Sequence, residues 1–329
     1  MHLVIADRIE STRNPIGLRY RASDRYVVTA QRIRAYAAAV HNHHPTHFSA
    51  AAAAEWGFGA VVAPPTFATL PWLRAAEEVL AILRSGFGSC RILHAEQTIR
   101  IGRALLAGDV VTTDLFFDTV ERYPDFCSIT ITALLRDRDG APLQTGTATL
   151  LTDSPSGWPP QAAVETLARH PRVVADHFDI GPLAESARVP RPPIDLSDHE
   201  PGTELRRRAV VLRPRDLRDY TALAGSFPDS QRVPAGICTA SGLFRLAMTC
   251  GAVTTWLDDP AVVRALRAEF SHPEVGETTT SQIVEFRGRV AGAGADSTTI
   301  DLDTRCHGRR LFARAEATVR TPHAAPDGY

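Results

Sequence analysis

The sequence predicts an α+β protein in which one pattern, a helix covered by a curled antiparallel sheet, occurs twice. Three observations predict it. Residues 25–40, "RYVVTAQRIRAYAAAV", and residues 208–224, "RAVVLRPRDLRDYTALA", share a short β-rich run, a basic polar step and a helix start ending in Tyr-x-Ala, which pairs Tyr36 with Tyr220. Residues 61–67, "VVAPPTF", hold the place of residues 233–239, "VPAGICT", and each leads into an apolar helical run. Each helical run is then followed by stretches that alternate β-branched or aromatic residues with polar ones, the period-two pattern of strands packed on one face.

In the first copy the strands are "CRILHAEQTIRIG", "DVVTTDLFFDTVERY", "FCSITITALLRDRDG" and "PLQTGTATLLT", with Asp139-Gly140 as a hairpin turn. The second copy is more compact, with "EFSHPEVGETTTSQIVEFRGRV", "DSTTIDLDTRCHG" and "RLFARAEATVR". Gly108-Asp109 and Gly276-Glu277 fall at the same turn of the two copies. Between them, "DSPSGWPP", "HPRVV" and "RVPRPPIDL" are rich in Pro and poor in periodicity, which predicts an ordered linker. The expected divisions are a first domain over residues 1–151, the linker over 152–201 and a second domain over 202–329.

At 329 residues, two domains are the natural expectation. The composition, 44% hydrophobic and 22% charged with a net charge of -1, provides no field for nucleic acid or an anionic membrane. All 36 basic residues are Arg, so Schiff-base lysine chemistry is excluded. Five widely spaced cysteines (Cys90, Cys127, Cys238, Cys250, Cys306) form no CxxC pair, which argues against both a disulfide framework and a cysteine zinc site. The N-terminal stretch does not read as a signal peptide, and no window approaches the ~20 apolar residues of a membrane span, so a cytoplasmic location is expected.

Four histidines crowd into seven residues: His41, His43, His44 and His47. His43 and His47 have the His-x3-His spacing of helical zinc sites, but Pro45 lies inside the interval and disfavours the helix such a site needs, so no metal is expected. Nor does anything call for a cofactor.

The Tyr-x-Ala helix start, the Asn-x-His-Pro-x-His segment, the run "AAAAAEWGFGAVVAPPTF" and the later "HAEQTIRIGRALLAGDVV" together resemble the MaoC-like hydratase and dehydratase family. In particular they are similar to its two-domain members related to the type I fatty-acid-synthase dehydratase. The resemblance covers residues 25–151 well and 208–320 more loosely. It implies a tandem (double) hotdog fold, and as partner an acyl thioester of acyl carrier protein or coenzyme A, across whose C2 and C3 water is added or removed. The family motif is Asp-x-Asn-Pro-x-His. Counting from Tyr36 puts Asn42 in place of the Asp and His44 in place of the Asn, followed by Pro45, Thr46 and His47. In the second copy the same count from Tyr220 reaches Ser226, and "FPDSQRVP" holds no Pro-x-His.

Chemistry at C3 needs a base, a proton donor for the oxygen, and stabilisation of the thioester enolate. His47 is the candidate base. Asn42 can orient a water or an amine but cannot take its proton, and His44 is the candidate neighbour, so the expected catalytic set is His47, Asn42 and His44. Pro65, Thr66 and Phe67 at the first helix start, and Gly236 with its free amide at the second, are the expected substrate-binding residues. Phe67, with Trp72 and Leu73, also has the spacing of a core face. The two central helices are expected side by side at the seam, making one composite site. The leading expectation is a hydratase or dehydratase acting on a 2-enoyl or 3-hydroxyacyl thioester. One alternative is addition of an amine such as glycine followed by thioester hydrolysis, a thioesterase-like role in secondary metabolism. Another is a non-catalytic acyl-binding subunit. A homodimer remains open; neither nucleic acid nor membrane is an expected partner.

Overall fold

The computed structural model describes residues 15–83, 92–152, 161–175, 180–185, 196, 199–225, 241–271, 280–294 and 296–321. In the first half, β1 (Leu18–Arg21) and β2 (Tyr26–Val27) precede helix α1 (Ala30–Ala39). Thr29 caps α1 by accepting the Arg32 amide at 3.2 Å. A single 3-10 turn, Pro45–His47, leads to the short α2 (Ala50–Glu55). A second 3-10 turn, Pro65–Ala68, runs directly into the central helix α3 (Thr69–Leu83). Strands β3 (Ile92–Ile101), β4 (Val110–Arg122), β5 (Cys127–Arg136) and β6 (Pro142–Thr152) then curl over that helix. The expected Asp139-Gly140 turn joins β5 to β6, with Gly140 at φ 88° and the Asp137 amide donating to the Ala141 carbonyl.

The second half repeats the order with β8 (Arg208–Leu212), α5 (Pro214–Ala224), α6 (Ser241–Leu257), β9 (Val263–Phe270), β10 (Gln282–Ala293), β11 (Ser297–Cys306), β12 (Arg309–Arg310) and β13 (Phe312–Arg320). This is the tandem hotdog architecture of the α+β class. One expected strand, "EFSHPEV…FRGRV", divides into the end of β9 and most of β10, since β9 begins well before it at Val263. The segment read as a linker is not all loop. It contributes α4 (Gln161–Arg169), with Val164 and Leu167 buried, and β7 (Val173–Ala175), which extends the sheet beyond β1.

All strands belong to one sheet, in the order β7-β1-β4-β5-β6-β3-β9-β13-β11-β10-β8. The halves meet where β3 pairs antiparallel with β9, from Glu96 opposite Glu269 to Arg100 opposite Ala265. Two glutamates face each other there, and Arg267 bridges both, donating to Glu96 at 2.6 Å and reaching Glu269 at 3.5 Å.

The expectation of central helices side by side is corrected. Helix α1 packs on α5 across the seam, and α6 lies against the 3-10 turn that starts α3. The reason is aromatic packing. Tyr36 and Tyr220, fully buried, meet at 5.8 Å between ring centroids, and each contacts the Phe at the start of its own half's central helix, Phe67 at 5.4 Å and Phe244 at 5.1 Å. Ring pairs of this kind contribute ~0.5–1.5 kcal/mol each beyond the area they bury.

Candidate active site

The histidine loop grows out of the end of α1, and its direction is set by a cap. The His41 amide donates to the Ala38 carbonyl and the Asn42 amide to the Ala37 carbonyl, the paired bonds of a Schellman cap, with His41 in the left-handed region at φ 56°. The chain then turns at Pro45, which starts a 3-10 turn in place of an α-helix, so His43 and His47 do not share a helical face. His43 is exposed and stacks on Phe48, whereas His44 and His47 are buried.

His47 is fully buried, and its Nδ1–H donates to the Val62 carbonyl at 2.7 Å. A carbonyl only accepts, so the proton sits on Nδ1 and the lone pair on Nε2. Nε2 is itself buried and has no hydrogen-bond partner among the described residues. Burial pushes the imidazole pKa down to about 3, opposed by the Val62 bond and reinforced by His44. The ring is therefore neutral at ordinary pH, with one fixed tautomer and one basic atom left available.

Asn42 is also buried. Its Oδ1 accepts from the Thr254 hydroxyl at 3.2 Å, and its Cβ lies over Gly251, where an added Cβ would stand 3.2 Å away. Both partners are on α6. His44 accepts the Thr46 hydroxyl (2.8 Å) and amide (3.4 Å) on Nδ1, which leaves its proton on Nε2, 3.4 Å from Asp258 at the end of α6. The His44 ring meets His47 at 5.9 Å and Trp56 at 5.2 Å. His41 pairs with Asp216 of α5 at 2.9 Å. Three residues of the loop thus reach the second half.

The other expected residues separate. Thr66 accepts the Tyr36 hydroxyl on both its carbonyl and its Oγ1 at 3.0 Å, which pins the turn that starts α3. Phe67 is fully buried between Tyr36 and Tyr26 in the core. Pro65 lines a cleft at the seam together with Ala63, Gly102, Arg103, Gln144, Ala261, Arg264 and Arg320. Gly236 lies outside the described residues. Ala104 and Ala261 of the cleft wall also pack against the small cluster of Ala53, Phe58 and Val62, the last of which holds His47. Arg103 is bound to Asp109 at 2.8 and 3.2 Å, while Arg264 is bound to Glu185 at 3.0 and 3.2 Å and Arg320 lies 3.7 Å from the same carboxylate. Arg103, Arg264 and Arg320 thus line the cleft. Among the described residues no group of three or more His, Cys, Asp or Glu is arranged to hold a metal ion. None of the described helices is long and apolar enough to cross a membrane.

Sequence reasoning named none of Val62, Asp216, Thr254 and Asp258. Val62 acts through its backbone, which no side-chain pattern reveals, and the other three reach the loop from the second half.

A family profile described as the FAS1-like dehydratase domain region matches residues 14–145. The UPF0336 protein Rv0504c of Mycobacterium tuberculosis is 32% identical over 145 residues, 44% of this chain and 87% of that protein. A UPF0336 protein of Thermobifida fusca is 29% identical over 147 residues, 44% of this chain and 97% of its own. A solved MaoC-like dehydratase superposes with TM-score 0.79 at 24% identity, over 94% of this chain and 99% of that one. The Mycobacterium tuberculosis protein RV0216, described as having a double hotdog fold, superposes with TM-score 0.59 at 14% identity, over 92% and 95%. The chain belongs to the family of the UPF0336 proteins, which it matches over its first half, and its fold is that of the MaoC-like dehydratase structure. The fold is a double hotdog, with the histidine loop in its first half.

Proposed function

We propose that the chain eliminates or adds water across C2 and C3 of an acyl thioester, with Nε2 of His47 as the atom that takes and returns the proton. The observation that carries this reading is the buried, neutral His47 with Nδ1–H fixed on the Val62 carbonyl. In the dehydration direction Nε2 removes the C2 proton while the electron pair moves onto the thioester oxygen. An imidazole with so low a pKa is a weak base in isolation. Here imidazolium and enolate are created together and stabilise each other in a site of low dielectric. The arginines of the seam cleft suit the phosphate-bearing arm of coenzyme A or acyl carrier protein.

The test is incubation of the purified protein with a 2-enoyl thioester and, separately, its 3-hydroxy form, following the enoyl absorbance and product mass. Interconversion by the wild type and its loss in His47→Ala support the proposal. An inactive wild type on both substrates ends it. Running the enoyl substrate with and without glycine addresses the amine-addition reading, which Asn42 favours because that position holds no proton acceptor. A glycine adduct or free acid in place of the 3-hydroxy product would select it.

A further inference from the structure

We propose that Asp258 is a positioning residue for the reaction, supplying from the second half the carboxylate that position 42 of the loop lacks. This inference rests on the proposed elimination chemistry and deepens it. Asn42 is committed to the seam, its oxygen taken by the Thr254 hydroxyl and its Cβ by Gly251, so its amide is a structural group. Two positions on, His44 occupies the place of the family's Asn. Its Nδ1 meets the Thr46 hydroxyl at 2.8 Å and amide at 3.4 Å, and its Nε2 stands 3.4 Å from Asp258 Oδ1.

Asp258 takes a backbone conformation that side chains other than Gly seldom adopt, φ 47°, in the residue after α6. Such a conformation costs about 1–2 kcal/mol for most L-residues and less for Asp or Asn. Here it turns the carboxylate toward the loop of the other half. Among the groups facing His44 are Asp258 from the end of α6, His47 from its own loop and Trp56 from the end of α2. A carboxylate favours the charged form of an adjacent imidazole, while among the described residues none is paired with Nε2 of His47. Two neighbouring histidines in unlike surroundings make an acid and a base.

In dehydration, His47 takes the proton from C2, the C3–O bond breaks, and His44, charged with its Nδ1–H donated to the Thr46 hydroxyl, gives its Nε2 proton to the departing hydroxyl, which leaves as water. One proton has then moved from His44 to His47. It returns through solvent, which reaches this pair at Asp258, whose side chain is 60% exposed.

The test is Asp258→Asn, with Asp258→Glu as the conservative variant. Asn is at home at positive φ, so the fold and Tm should be unchanged. The expected result is a kcat lower by ~10-fold or more with KM within about twofold. The high-pH limb of the kcat profile should move to lower pH by roughly half a unit or more, and Asp258→Glu should recover part of both. In parallel, imidazole NMR titrations should show His44 titrating at lower pH in Asp258→Asn. Wild-type kcat and an unmoved pH profile in Asp258→Asn overturn the proposal. If the wild type is inactive on both thioesters, the elimination reading fails by itself, and an unmoved His44 titration in the variant then overturns the assignment of Asp258 independently.

Discussion

The two halves have the same order of helix, central helix and sheet, yet they do different work at the seam. The first half sends out a loop from the Schellman cap of α1, with His47 buried at the end of a 3-10 turn. The second half meets that loop with the start of α5 and one face of α6: Asp216 holds His41, Gly251 and Thr254 hold Asn42, and Asp258 faces His44. A repeat that carries no Pro-x-His loop has become the surface against which the other repeat's loop is shaped. In the proposed reading, the duplicated fold is thereby turned into a single asymmetric site.

The largest expected effect breaks this asymmetry at its centre. His47→Ala should lower turnover of the thioester by ~10²–10⁴-fold, the usual contribution of a positioned general base. His43→Ala, at an exposed ring on the same loop, should leave turnover within about twofold of wild type. Steady-state kinetics on both variants makes the check. Equal losses would mean that the loop, and not Nε2 of His47, is what matters.

Much of this was legible in the sequence, for identifiable reasons. Period-two alternation gave the sheets, and β6 runs over the very stretch "PLQTGTATLLT". His47 was legible because Pro-x-His is a local spacing. Helix α4 was not, since flanking prolines masked a short helix whose buried residues are few, Val164 and Leu167 among them. The arrangement of the central helices was misjudged because aromatic packing of Tyr36 on Tyr220 decides it, and pair contacts leave no periodic trace. Thr254 lies 212 residues from Asn42, and no local pattern ties such partners together.

The next effect concerns acid stability, which the first half should dominate. Burial lowers the His47 pKa to about 3 and the His94 pKa to about 4, against 6.5 for a free imidazole. Between pH 6.5 and these values the unfolded chain binds more protons than the folded one, so stability is full above pH 6.5 and falls as the pH drops. Each such group contributes a slope of ~1.4 kcal/mol per pH unit in that window. His47→Gln should flatten the urea-derived stability curve between neutral pH and about pH 4.5. An unchanged slope would place the acid sensitivity elsewhere.

A smaller effect compares the sheets. Both halves slide a glycine under a Trp of the central helix, Gly146 beneath Trp72 and Gly288 beneath Trp256. At Gly146 an added Cβ would overlap three ring atoms of Trp72, whereas at Gly288 it would stand 2.8 Å from Trp256 and 3.0 Å from Leu205. Overpacking of this type costs about 1–3 kcal/mol. Gly146→Ala should fall in the upper part of that range and Gly288→Ala in the lower, read as Tm differences. The reverse order would show that the Trp72 ring yields more readily than the Trp256 ring.

The smallest effect tests the strand junction. Glu96 and Glu269 stand opposite each other on β3 and β9, and Arg267 reaches both. The Arg267 side chain is 39% exposed, so solvent screens the pair and its net value is below about 1 kcal/mol. Arg267→Ala nevertheless removes the cation that bridges two like charges in register, and opposed like charges destabilise a strand pair. The loss should therefore be larger at low ionic strength and fade as salt approaches ~1 M, where the screening length is about 3 Å. Urea denaturation of the variant and the wild type at both salt levels decides it. A loss that ignores salt would mean that the junction uses the aliphatic stem of Arg267, and that the two halves are joined by packing where the charges suggest an ion pair.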